Sequence, residues 1–429
     1  MRVAFHTIGC KLNQYETEAI REQFEARGYT VVDFREPADV YVVNSCTVTK
    51  KADGDARRLL RNAKRRSPSA LVVATGCYAQ TDADALAAMP EVDLVLGNQE
   101  KGRAADLVAA GRDAGAVHVG DILECHAFGA ADVQSFAEHT RAFLKIQDGC
   151  DSCCAYCKVP LARGPNRSRP FADALAQVRR LCDAGHREIV LIGVHLGTYG
   201  RDLDPPRSLP ELLTAILAED RPDRLRLSSV EPLEFTDGLT DVLARHAGRL
   251  CRHLHIPLQS GCDRTLARMN RRYTAAQYSD LVHRLADRIP GIAIGADVLV
   301  GFPGEADDDF TETLRLCETL PLAYLHVFSY SVREGTAAAT MPGHVRPDIV
   351  KTRCRALIEL SKRRRESFLG TLVGTTQRVL LEQAQDDVVE GLTDTYARVY
   401  LPVGSARPNT LVSARITGVE GEVCRGAIE

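Results

Sequence analysis

Three times within residues 1–77 a short apolar run ends on a cysteine: VAFHTIGC at Cys10, VYVVNSC at Cys46 and LVVATGC at Cys77. Continuous apolar runs of this length suit strands buried on both faces, as in a parallel sheet covered by helices. The stretches between them, Tyr15–Arg27 and 50–66, have helical composition, and Val92–Leu96 reads as a fourth strand. All strands of a parallel sheet end on one edge. The three thiols are therefore expected to converge in the crevice beyond the strand ends, where such sheets bind ligands. A single cysteine of this kind is an ordinary core residue. Three at the same topological position point to a second cluster site, in addition to the one described below.

The rest of the chain resolves into two further regions. Residues from about 112 to 140 lose the strand–helix rhythm, and a domain boundary is expected there. Alternation resumes with candidate strands Phe143–Ile146, Ile189–Ile192, Leu225–Leu227, Leu254–Ile256, Ile294–Val300 and Leu325–Phe328. Six such units predict a partial (β/α)6 barrel, whose functional groups collect at the carboxyl ends of the strands. Past Arg365, the runs VLLEQ, VVEGL, ARVYLPV and TLVSARITGV are short, β-like and broken by Gly, Asn, Asp and Pro. They predict a small antiparallel barrel. The expected class is α/β, with units at 1–125, 136–368 and 371–429.

The second cysteine group is local. GCDSCCAYC places Cys150, Cys154 and Cys157 at C-x3-C-x2-C spacing directly after the strand AFLKI. Thiolates are soft ligands suited to iron–sulfur clusters or zinc. A four-iron cluster normally takes four cysteines, so three leave one iron open to a substrate or cofactor. A structural zinc wants a fourth Cys or His at matching spacing, and upstream His139 breaks that pattern. Cys153 falls outside the spacing and is not assigned as a ligand.

Fourteen cysteines without a signal peptide argue for metal or redox chemistry in a reducing compartment, and the chain reads as cytoplasmic. No apolar run approaches the ~20 residues a membrane span needs. The formal charge of −3 is no signature of nucleic-acid binding, but residues 50–66 carry eight Lys/Arg against two Asp. Such local patches permit phosphate contacts.

These motifs resemble the methylthiotransferases of the radical S-adenosylmethionine (SAM) superfamily along nearly the whole chain. The resemblance rests on GCKLNQYETEA, VVNSCTVT, ATGCYAQ, KIQDGCDSCCAYCKVPLARGPNRSR, HLHIPLQSGCDRTLARMNRRYT, DVLVGFPGE and HVFSYSVREGTAA. The first of these stretches and HLHIPLQSG are most like the branch that modifies N6-threonylcarbamoyladenosine at tRNA position 37. The resemblance implies two 4Fe-4S clusters, one on Cys150, Cys154 and Cys157 and an auxiliary one on Cys10, Cys46 and Cys77. It further implies two molecules of SAM per turnover. One methylates a cluster-borne sulfur, and the other yields the radical that takes the hydrogen from C2 of the base. An electron donor, a sulfur donor and a C-terminal RNA-binding TRAM domain belong to the same expectation. Both clusters must face the base, so the N-terminal domain should cap the barrel mouth.

Among the remaining polar groups, Tyr156, Gly193, Ser229, Glu231, Gln259, Ser260 and Asp297 are candidates to line the SAM site, and Arg163 to pair with a substrate carboxylate. The presumed TRAM region, 371–429, carries five Arg and no Lys against eight Asp/Glu, which is unexpected for a barrel that grips RNA. Three rivals share the motifs in part. They are a methylthiotransferase acting on a ribosomal-protein aspartate or on isopentenyladenosine, a radical enzyme with one cluster, and an RNA-binding protein with structural zinc.

Overall fold

A computed structural model describes residues 1–111, 117–129, 132–134, 136, 140–385, 387–404 and 406–429. The first region is a six-stranded parallel sheet in the order β2-β1-β3-β4-β5-β6. Its strands are β1 (Arg2–Thr7), β2 (Thr30–Val32), β3 (Val40–Ser45), β4 (Leu71–Gly76), β5 (Leu94–Leu96) and β6 (Val117–His118). Helix α1 (Lys11–Glu25) covers one face with Ile20 and Phe24, and α2 (Lys50–Arg66) covers the other with Ala56, Leu60 and Ala63. The sandwiched strands are apolar along their centres for that reason. β2 and β6 were not expected; each is too short to give a periodic signal.

The central region has two three-stranded parallel sheets, β11-β10-β7 and β12-β13-β14. They comprise β7 (Arg141–Lys145), β8 (Gln147–Asp148), β9 (Arg167–Ser168), β10 (Glu188–Ile192), β11 (Arg224–Leu227), β12 (His253–His255), β13 (Ala293–Val300) and β14 (Tyr324–Ser329), with β8 and β9 forming a separate antiparallel pair. Parallel bridges Leu225↔Leu250 and Ser229↔His255 join the two sheets. The result is the expected six-unit partial barrel, open between β7 and β14.

The C-terminal region is a closed barrel, β15-β16-β17-β19-β18, of β15 (Thr376–Gln385), β16 (Val388–Thr393), β17 (Arg398–Pro402), β18 (Leu411–Glu420) and β19 (Val423–Ile428). The last strand, VCRGAI, escaped the sequence pattern because a glycine and an arginine interrupt it.

The N-terminal region sits against the open side of the partial barrel. Leu12, Tyr15 and Ala19 of α1 share one apolar core with barrel residues such as Leu144 and Ile146. At the mouth, Arg333 beyond β14 donates to Thr47 and Asp53, each at 2.7 Å, and the Lys50 amide reaches Ser331 at 3.3 Å. These contacts join the N-terminal region to the loop that follows β14. No helix among the described residues is long and apolar enough to cross a membrane.

Candidate functional site: two thiol trios

Cys10, Cys46 and Cys77 lie just past the carboxyl ends of the adjacent strands β1, β3 and β4. The register pairs Thr7 with Asn44 and Ser45 with Gly76, which brings the three ends level. Two glycines make the turns possible. Gly9 and Gly76 hold φ of +115° and +99°, and a Cβ on Gly76 would stand 2.3 Å from the Ser45 carbonyl oxygen. Only glycine takes such a conformation at that distance. Burial pushes the Cys46 thiol up to about 12, with the neighbouring Cys77 and Cys10 adding to it, and burial likewise raises Cys77.

Cys150, Cys154 and Cys157 occupy the loop between β8 and the short helix Val159–Arg163. Burial pushes Cys157 up to about 12. Cys150 goes the other way. Burial opposes its ionisation, but His195 Nδ1 at 3.6 Å and the Ser152 amide at 3.4 Å outweigh it. Arg271 donates to Cys154 Sγ at 3.4 Å and pairs with Glu231. A cavity of about 300 Å³ opens here, lined by Cys154, His195, Glu231, Glu234 and Arg271.

The short helices that follow the two trios pack on each other across the region interface. The short helix that begins at Cys77 carries its end toward the one after Cys157, where Lys158 meets Asp82 at 2.8 Å and Asn98 reaches the Ala162 carbonyl at 2.6 Å.

All six thiols are free. Among the described residues, the only His/Cys/Asp/Glu group whose ligand atoms fall within 4.8 Å of one another is His255, Asp297 and His326. The trios are therefore more open than the roughly 3.8 Å between sulfurs that a single tetrahedral zinc with 2.3 Å bonds imposes. Soft, free thiols at wider spacing suit an iron–sulfur cluster. His139, weighed as a further zinc ligand, lies outside the described residues.

Two expectations need correction. Arg163 is 2% exposed and fully engaged, donating to Glu16 at 2.8 Å, Asp148 at 3.1 Å and Asn13 at 2.7 Å. It ties α1 to the barrel and offers nothing to a substrate carboxylate. Lys145 and Lys101 complete this network on Glu16. Ser260 is also buried, its hydroxyl spent on Thr313 and the Cys262 amide.

The other candidates divide by position. Glu231 lines the cavity beside Cys154, and Ser229 is exposed at the end of β11. Gly193 leaves room for Gln147, whose Oε1 would lie 2.8 Å from an added Cβ. Gln259 adopts φ +64° and bonds β13 through its backbone. Tyr156 turns its ring edge-on to Phe302 at 6.4 Å. Asp297 lies deeper, on the barrel lumen. His195 and Arg271 were missed. Isolated residues carry no spacing signal, although His195 stands two positions after Gly193 in the same strand-end loop.

A six-unit parallel half-barrel with three free thiols on its first loop defines a radical SAM enzyme, and the Radical SAM superfamily model matches residues 144–317. The model of uncharacterized protein family UPF0004 matches residues 2–97. The chain belongs to the methylthiotransferase family of radical SAM enzymes. It is 39% identical to the threonylcarbamoyladenosine tRNA methylthiotransferase MtaB of Bacillus subtilis, across 92% of this chain and 89% of that protein. The Aquifex aeolicus protein of that name is 37% identical, across 94% and 98%. A tRNA-2-methylthio-N(6)-dimethylallyladenosine synthase of Methylobacillus flagellatus is 33% identical, across 100% and 99%. Among solved structures, the radical SAM methyltransferase TsrM of Kitasatospora setae shares the fold with a TM-score of 0.59 at 17% identity, over 79% of this chain and 77% of that one.

Proposed function

We propose that this enzyme adds a methylthio group to C2 of N6-threonylcarbamoyladenosine at position 37 of tRNA, using two 4Fe-4S clusters. Cys150, Cys154 and Cys157 hold one cluster and Cys10, Cys46 and Cys77 the other. The observation that carries this reading is a second trio of free thiols at the level ends of β1, β3 and β4, in addition to the trio on the barrel's first loop, since a radical enzyme without sulfur insertion needs only the latter. The threonylcarbamoyl branch is favoured because relatives of that name reach 39% identity, against 33% for the dimethylallyladenosine synthase. With clusters and SAM bound, the site supplies radical chemistry, which suits an aromatic C–H that offers no acidic proton.

This chain's own residues bind and orient. Glu231, paired with Arg271 beside Cys154, would take the cofactor's amine, a reading supported by its position on the cavity wall. His195 and Arg271 donate to the cluster-ligand sulfurs, and such hydrogen bonds tune a cluster's potential. The Glu16–Arg163–Asp148 network ties α1, which follows Cys10, to the strand and helix that flank the second trio. RNA affinity is assigned first to α2, where Lys51, Arg58, Arg61 and Arg65 are exposed at helical spacing on one face. Its amino end is pinned at the barrel mouth by Arg333, so the basic stripe leads away from the cavity. Free phosphate-binding cations are fewer on the acidic C-terminal barrel.

The test is a nucleoside profile of tRNA from a strain lacking the gene. Loss of the methylthio base with accumulation of threonylcarbamoyladenosine is expected. Persistence of the methylthio base contradicts the reading.

A further inference from the structure

We propose that His326, held by Asp297 beside His255, is the specificity-determining contact for the carboxylate that a threonylcarbamoyl group carries. The inference rests on the functional reading above and names the side chain that would recognise that substrate.

The three residues come from adjacent strands and face the lumen. His255 pairs in register with Gly295, and Asp297 with His326. Asp297 Oδ1 is 2.9 Å from His255 Nε2 and 3.4 Å from His326 Nδ1. His255 is engaged at both ring nitrogens, because its Nδ1 lies 3.4 Å from the Tyr324 hydroxyl. His326 differs. Its side chain is 55% exposed, and its Nε2 has no protein partner among the described residues. The ring is nevertheless braced, stacked on His255 at 5.0 Å and edge-on to Phe328 at 6.5 Å. Burial disfavours the ionised form of Asp297, but the two imidazoles more than offset it and hold the carboxyl near 2, so it is an anion at neutral pH. That anion lies 3.4 Å from Nδ1 of His326 and fixes the orientation of the ring. A second carboxylate arriving at Nε2 then meets an imidazole nitrogen in a fixed orientation, and the hydrogen bond it accepts there is strengthened by its own charge.

A divalent cation is the competing occupant, since two His and a carboxylate are also a metal-donor set. The field of the lumen decides against it. Lys11, Arg226 and Arg365 all act on His253, one step deeper, and drive its proton affinity down after burial. Glu188 nearby is paired with Arg224 and Arg226, which leaves Lys11 and Arg365 as the cations without a carboxylate partner among the described residues. A lumen biased positive attracts a carboxylate and repels a cation. Phe328, 48% exposed and two residues nearer the mouth, offers an apolar surface where an adenine would lie.

The test uses cluster-loaded enzyme and three anticodon stem-loop RNAs. One carries threonylcarbamoyladenosine, one its methyl ester, and one unmodified adenosine. The wild type is expected to bind the carboxylate RNA about tenfold tighter than the ester, the size of one charge-assisted hydrogen bond. His326→Phe should bring that ratio to about one, and His326→Lys should restore a preference for the carboxylate, with iron content confirming a folded protein. A His326→Phe enzyme that keeps the wild-type ratio overturns the assignment. So does an equivalent of manganese or zinc bound beyond the iron and lost in Asp297→Asn. Turnover of the first RNA by wild type tests the functional reading separately; if it is not a substrate, both fall.

Discussion

The two thiol trios reach similar chemistry by opposite routes. Cys150, Cys154 and Cys157 are neighbours in one loop, so their proximity is a property of eight consecutive residues. Cys10, Cys46 and Cys77 are brought together only by the parallel order β1-β3-β4 and by two positive-φ glycine turns. The local trio is surrounded by donors to sulfur from the barrel, His195 and Arg271. The assembled trio leans on a buried ionic network, where Arg163 acts on both Cys77 and Cys46. Local spacing makes a robust site; topology makes one that depends on the whole domain.

Replacing cysteines breaks the comparison most sharply. Cys150→Ala should abolish both SAM cleavage and product, read as 5′-deoxyadenosine and methylthio nucleoside by mass spectrometry. Cys46→Ala should abolish the methylthio product while 5′-deoxyadenosine still forms. A smaller effect is expected from Gly76→Ala. Its Cβ would collide with Ser45 backbone at a positive φ, costing roughly 2–4 kcal/mol. Thermal unfolding should drop accordingly, and about half the iron should go, all of it from the N-terminal trio.

Charge reversal on α2 follows in size. Glu at Lys51, Arg58 and Arg61 should weaken tRNA binding and lower the salt slope by about 0.7–0.9 per lost phosphate contact. Matching changes at Arg407 and Arg415 of the C-terminal barrel should do less.

The mildest effect concerns acid. Burial opposes ionisation of Glu188, but Arg226 and then Arg224 bring its carboxyl down to about 2 from the usual 4.5. A lowered folded value means the stabilisation is complete above about 4.5 and is lost as pH falls toward 2, on the order of 3 kcal/mol. The two arginines also donate to carbonyls of Leu392, Thr393 and Asp394. Melting curves should therefore steepen their fall in that window, and Glu188→Gln should flatten it.

The periodic parts of this fold were readable because burial writes itself into the sequence, as continuous apolar runs such as VYVV and EIVLI or as apolar residues alternating with polar ones that face the lumen, as in RLRL and HLH. The strand-end thiols were readable for a related reason, since parallel order fixes where strand ends go. What escaped was whatever depends on residues distant in sequence meeting in space. Arg163 looked free for a ligand because nothing in its neighbourhood announces Glu16, 147 positions earlier. Ser260 looked available because Thr313 is 53 positions away. His326 and Arg271 gave no signal, since a lone side chain acquires its meaning only from the strands beside it.

Mössbauer spectroscopy of iron-labelled, oxygen-free protein tests the two-trio arrangement most directly. The wild type should show two 4Fe-4S clusters, about eight irons per chain, and the Cys10→Ala, Cys46→Ala, Cys77→Ala triple variant should keep one cluster with four. A wild-type spectrum with a single cluster, or a triple variant indistinguishable from wild type, would contradict it.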